Sequence, residues 1–151
     1  MKEMSSNFVV HLLAALCLAL CLGKCFVYGL TENCIDRYSP SYTCCSGEIT
    51  LHPNLTSIDQ SAFSGCSGLR GSLTIPDSVT SIGSYAFYQC SGLTGDLTIP
   101  DSVTSIGSSA FYGCGGFNGS LVLGNSLTSI ESIVFYQCSG FTGELTIPDS
   151  V

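Results

Sequence analysis

Positive charge is what this chain has least of. Its 151 residues include 4 lysines and arginines against 11 aspartates and glutamates, for a formal net charge of −7. Beyond the N-terminal stretch the basic residues are Lys24, Arg37 and Arg70. So few cations cannot release counterions from a phosphate backbone or hold anionic lipid headgroups. Nucleic acid and charged membrane surfaces are therefore excluded as expected partners. Histidine is almost as scarce. His11 lies in an apolar N-terminal run, and His52 is the only other one. No serine or cysteine has a histidine at a repeating spacing, so no activated nucleophile is apparent, and an enzyme is not expected. Cysteines never occur as Cys-x-x-Cys, the spacing that metal sites favour, so no metal or cofactor is expected.

Long apolar runs are also missing, with one exception. Phe8 to Leu22 is apolar apart from His11, follows Lys2, and ends among the small residues Ala19, Cys21 and Gly23. That is the make-up of a secretory signal peptide, read here as residues 1–24. The run is shorter than the roughly 20 residues a membrane span needs, and no span is expected beyond the leader. A secretory route makes disulfides available. Cys25, Cys34, Cys44 and Cys45 fall in an irregular stretch, read as a cysteine-rich N-terminal cap over residues 25–48. At least one disulfide from Cys34 to Cys44 or Cys45 is expected there, although spacing alone leaves three connectivities open.

What the chain does have is a period. Ile49–Ser72, Leu73–Asp96, Leu97–Ser120 and Leu121–Glu144 are successive units of 24 residues, and Leu145–Val151 begins another. A fixed period of this size marks a solenoid, in which no unit buries its apolar face alone. Residues 49–151 are read as that solenoid. Leu73, Leu97 and Leu121, and two residues on Ile75, Ile99 and Leu123, alternate with Thr74, Thr98 and Val122. This spacing of two predicts short parallel strands at 49–51, 73–75, 97–99, 121–123 and 145–147. Pro76, Pro100 and Pro148 end the strand because they lack the donor to extend it. The segment from Ile82 to Cys90 is too short for a stable α-helix and predicts turns or a piece of 3₁₀-helix.

Cys66, Cys90, Cys114 and Cys138 recur in phase and predict a ladder of buried free thiols. Asp77, Asp101, Asn125 and Asp149 stack at a turn and are expected to bond their own turn amides. Tyr88, Tyr112 and Tyr136 predict a half-buried aromatic stripe. Asn54 and Asn118 each begin an N-x-S/T acceptor and are candidate glycosylation sites.

The residues Leu73, Ile75, Pro76, Val79, Ile82, Gly83, Ala86, Phe87 and Cys90, with their counterparts in later units, spell LxIPxxVxxIGxxAFxxC. This pattern resembles the BspA-like leucine-rich repeats of surface proteins. The resemblance implies an α/β-type leucine-rich repeat solenoid, mostly β, with right-handed parallel coils and an irregular or 3₁₀ convex side. It also implies a secreted or cell-surface protein that adheres to matrix or host proteins, and it supplies no catalytic residues. The expected binding face is the row of outward strand residues Thr74, Asp96, Thr98, Val122 and Thr146. Two other readings stay open: a receptor's ligand-binding ectodomain, or a glycan-binding surface protein.

Overall fold

The computed structural model describes residues 24–27 and 46–151, with only the backbone path of 24–27 and Ser46 described. The expected leader, apart from Lys24, lies outside the described residues, as do Cys34, Cys44 and Cys45.

The strands are short and stacked. They are β1 (Lys24–Val27), β2 (Ser46–Leu51), β3 (Ser57–Ile58), β4 (Gly68–Arg70), β5 (Ser81–Ile82), β6 (Leu97–Thr98), β7 (Ser105–Ile106), β8 (Leu121–Val122) and β9 (Leu145–Thr146). They form three sheets in the orders β1-β2-β4, β3-β5-β7 and β6-β8-β9. Every pairing is parallel. Ile58 faces Ile82, which faces Ile106, and Leu97 faces Leu121, which faces Leu145. Each coil thus lies one sequence period from its neighbour. β1 follows the same rule, with Cys25 opposite Ile49.

One register differs. β2 pairs with β4 through Ser46 opposite Gly68, and a bridge from Gly71 to Leu93 continues that line. The offset is two residues short of the period. No strand therefore forms at 73–75, contrary to the expectation from alternation. Leu73 and Ile75 are nonetheless buried and Thr74 exposed. A slip of two preserves the facing of every side chain, whereas a slip of one would reverse it.

The β3-β5-β7 sheet was not anticipated. Its strands are two residues long, too short for any alternation to show. It exists because Gly83 N–H donates to Ile58 O at 2.7 Å and Gly107 N–H to Ile82 O at 2.8 Å. The sheet stops before the fourth coil, where Glu131 occupies the place of Gly83 and Gly107. A Cβ at Gly107 would lie 2.5 Å from the Ser84 backbone nitrogen, too close for any side chain to fit unless the coils separate.

The stretch between this sheet and the cysteines is a run of turns, and no helix forms among the described residues. Ala62, Ser64 and Cys66 N–H groups donate three residues back, while Ser61, Phe63 and Gly65 donate to Ser84, Ala86 and Tyr88 of the next coil. Every second amide thus joins an inter-coil ladder. A 3₁₀-helix would direct all of them inward. The alternation needs left-handed residues, and φ is +59° at Ser61, +59° at Tyr85, +58° at Ser109 and +52° at Ile133.

The core is a set of columns. Phe63, Phe87, Phe111 and Phe135 stack with centroids 5.1, 5.2 and 5.6 Å apart. Leu69, Leu93 and Phe117 form a further fully buried column, and Phe141 extends it by stacking on Phe117 at 5.5 Å. Val79, Val103 and Leu127 are wholly inaccessible. A fully buried side chain of this kind contributes about 1.5–3 kcal/mol. Because Phe87 and Phe111 each lie between two other rings, that gain belongs to the contact between coils.

Candidate interaction surfaces

The sheet β6-β8-β9 places Thr98, Val122 and Thr146 side by side. Thr98 and Thr146 are exposed and Val122 is half-buried. Thr74 is exposed but stands outside this sheet. Asp96 is also exposed, and its carboxylate accepts from the Ser120 backbone N–H at 2.7 Å. Ser120 Oγ in turn accepts from Glu144 N–H at 3.1 Å. The column before the strand is therefore tied into the stack, while the threonine hydroxyls on the strand stay unengaged.

Hydroxyls elsewhere also lace coils together. Thr80 Oγ1 donates to Thr56 O at 3.1 Å and Thr104 Oγ1 to Thr80 O at 3.2 Å. Ser102 Oγ donates to Val79 O and Ser150 Oγ to Leu127 O, at 2.7 and 2.6 Å. One turn aspartate differs from expectation. Asp101 accepts from Asn125 N–H at 2.7 Å, one coil on, and not from its own turn. The cause is the parallel stack, which brings the next coil's amide nearer than its own.

A groove of about 630 Å³ runs across the β3-β5-β7 sheet and onto the fourth coil. Ser57, Ser81, Ser105 and Ser129 form one wall, with Asp59 and Glu131 at its two ends.

On another flank Tyr88 stacks on Tyr112 at 4.9 Å, and Tyr112 on Tyr136 at 5.2 Å. Tyr85 meets Tyr88 edge-on at 5.7 Å. Tyr88 and Tyr112 are half-buried and Tyr136 is exposed. Tyr88 and Tyr112 cover the faces they turn to each other, and Tyr136 is tilted 30° to Tyr112. What the stripe mainly offers a ligand is ring edges and phenol hydroxyls, with an exposed ring at the Tyr136 end.

The cysteine column divides. Cys90, Cys114 and Cys138 are free thiols, the first two buried and Cys138 partly so. They donate to Phe63 O, Phe87 O and Phe111 O at 3.1, 3.0 and 3.0 Å. Each of those carbonyls also accepts a turn amide, so the thiol fills its second lone pair. Burial pushes Cys90 up to about 12 and Cys138 up to about 11. Burial also raises Cys114, with Cys90 and Cys138 adding to the shift. Cys66 departs from the expected thiol: it is disulfide-bonded, to a cysteine whose side chain lies outside the described residues. It is the end of the ladder, and the chain beyond it is the cysteine-rich stretch. Cys25 sits in β1, where only the backbone is described. Asn54 and Asn118 are both exposed, and Asn118 Oδ1 accepts from Gly95 N–H at 2.9 Å.

Among the described residues no three His, Cys, Asp or Glu side chains converge on a metal position. Nor is any helix among the described residues long and apolar enough to cross a membrane.

The description of the BspA-type leucine-rich repeat region matches residues 34–151 in six copies. The chain belongs to the BspA-type leucine-rich repeat family. It is thus a repeat-based module of a kind that serves protein interaction. A crystal structure of a leucine-rich repeat protein from Bacteroides ovatus ATCC 8483 has a similar fold, with a TM-score of 0.51 at 24% identity. The match covers 85% of this chain and 38% of that one. No curated protein matches the sequence. The family match begins at residue 34, upstream of the solenoid boundary read from the period.

Proposed function

We propose that this BspA-type repeat protein is an extracellular or cell-surface adhesion module that binds a matrix or host-surface protein. The observation that carries the proposal is the row Thr98, Val122 and Thr146, regular, outward-facing and unengaged by the stack. Its few charges favour affinity from shape and repeated contacts, with only weak dependence on salt. Two features support an extracellular site. The apolar run Phe8–Leu22 has the make-up of a leader, and a disulfide at Cys66 suits an oxidising compartment. A protein partner is favoured over a glycan because Tyr88 and Tyr112 are stacked and half-buried, which leaves Tyr136 as the one exposed ring of the three.

The test is retention of immobilised matrix proteins and glycans by the full chain, compared with Thr98→Lys plus Val122→Lys. Loss of protein binding in that variant supports the reading. Binding that survives it but is lost in Tyr88→Ala plus Tyr112→Ala moves the site to the tyrosine stripe and overturns it. Retention of a reporter inside a secretory host, when fused after residue 24, would refute the extracellular placement.

A further inference from the structure

The groove over β3-β5-β7 has no role in stacking that explains its lining. Thr80, Thr104, Ser102 and Ser150 each donate a hydroxyl to a neighbouring coil, and Ser120 accepts from one. By contrast Ser57, Ser81 and Ser105 make no hydroxyl hydrogen bond among the described residues, and neither do Ser84 and Ser108, which also line the groove. The floor is backbone at Gly83 and Gly107. The groove's charges are Asp59 at one end and Glu131 at the other, both exposed, with no basic residue in the lining.

We propose that this groove holds an extended peptide segment of a protein partner, running along the stack axis, with basic side chains four residues apart that meet Asp59 and Glu131. The inference rests on the reading of the chain as a protein-interaction module and assigns it a second surface and a ligand class. The spacing follows from two repeats. Asp59 and Glu131 are three coil steps apart, and at about 4.8 Å per step that is about 14 Å. Four residues of extended chain at about 3.4 Å each cover about the same length. Residues i and i+4 of an extended chain also share a face, so both cations can point into the groove at once. Between them, the peptide's amides and carbonyls pass over the free serine hydroxyls, which both donate and accept. The partner's cations meet no like charge, because the lining holds no lysine or arginine.

The test uses the full chain and an acetylated, amidated eight-residue peptide of Ser and Thr with Lys at positions 3 and 7. A control peptide carries Lys at 3 and 6, which puts the cations on opposite faces. Fluorescence anisotropy at low salt should show binding of the first peptide and weaker binding of the second. Asp59→Asn plus Glu131→Gln should weaken the first by about threefold to tenfold, the range expected of two exposed charge pairs. Both residues are exposed, and circular dichroism melts confirm that the variant folds. Equal binding of the two peptides, or a loss caused by Thr98→Lys and not by the acid variant, would overturn the groove assignment. Peptide failure with intact matrix binding would overturn it while leaving the strand-face reading standing. Failure of both would remove the interaction reading itself. Retention of a neutral glycan in the groove without either peptide would replace the ligand class.

Discussion

Replacing Gly83 with alanine should destabilise the stack far more than replacing Gly65, although Gly65 has the unusual backbone. At Gly83 a Cβ would lie 2.5 Å from Gln60 N, 2.7 Å from Asp59 C and 2.8 Å from Gln60 Cα. All three are backbone atoms of the preceding coil, so no side chain can swing away. Relief requires the coils to part. Overpacking of this kind costs about 1–3 kcal/mol. Parting also stretches Gly83 N–H to Ile58 O and Ser61 N–H to Ser84 O, now 2.7 and 2.9 Å, each contributing about 1 kcal/mol. Alanine lowers the entropy of the unfolded chain, which offsets about 0.4–1 kcal/mol. The net cost is about 2–4 kcal/mol. At Gly65 φ is +78° and a Cβ would meet nothing within 4 Å. The cost there is conformational only, about 1–2 kcal/mol, less the same entropic offset. Urea unfolding followed by circular dichroism separates them. With a slope of about 2 kcal/mol/M, Gly83→Ala should move the midpoint down by about 1–2 M and Gly65→Ala by no more than about 0.5–1 M. A Gly83→Ala midpoint equal to or above that of Gly65→Ala would refute the close-approach argument.

Glu131→Gly should extend the β3-β5-β7 sheet to the fourth coil and stabilise the chain, read as new amide protection near residue 131 in hydrogen exchange. Gln137→Gly should stabilise by about 0.5–1 kcal/mol, because φ is +59° there and left-handed geometry costs a non-glycine residue roughly 1–2 kcal/mol; an unchanged urea midpoint would refute it. The thiols make stability pH-dependent. Their native pKa values are raised from the ordinary 9.0, to about 12 at Cys90 and about 11 at Cys138, so their contribution is full below pH 9 and is lost as pH climbs from 9 through those values. Thermal melts should fall steeply across that window, and less so in Cys90→Ala plus Cys114→Ala. Iodoacetamide at neutral pH should label Cys90 and Cys114 only after unfolding, while Cys66 stays unlabelled until a reductant is added.

The features legible in the sequence are those that repeat with a side chain attached. The columns Leu97, Leu121 and Leu145, the outward Thr98 and Thr146, and the cysteine and phenylalanine ladders all come from reading one unit over the next. The second sheet was hidden because Ser81–Ile82 and Ser105–Ile106 are too short to show a period. The left-handed positions were hidden because Tyr85, Gln89 and Ile133 stand where glycine would have signalled them. The register slip at Ser46–Gly68 and Gly71–Leu93 falls in the glycine-containing return segments, where no apolar alternation marks a strand. The bond at Cys66 has the same origin: it matches its column in sequence but is the member that borders the cysteine-rich stretch. The groove was hidden with the second sheet, whose strands line it.

The hydroxyl columns connect the fold to its use. A parallel stack repeats every side chain at the coil spacing, so a hydroxyl that leans back along the axis finds the preceding coil's carbonyl. Thr80, Thr104 and Ser102 do this, and their removal should loosen the stack without touching any ligand. A hydroxyl that points away from the axis finds no carbonyl, as at Thr98 on one sheet and Ser81 and Ser105 on the other. Those columns contribute little to stability, so their residue types are free to follow a partner. Breaks in a column carry the same message. Val122 interrupts the threonines, and Asp59 and Glu131 bracket Gly83 and Gly107. Glu131 costs the fourth coil its strand pairing, a loss of about one hydrogen bond and its packing. A charged residue that weakens the stack at the mouth of a groove lined by unengaged serines is best understood through what it meets there. Glu131→Gly should therefore raise the urea midpoint while reducing peptide binding, and a variant that gained both stability and affinity would separate the groove from Glu131.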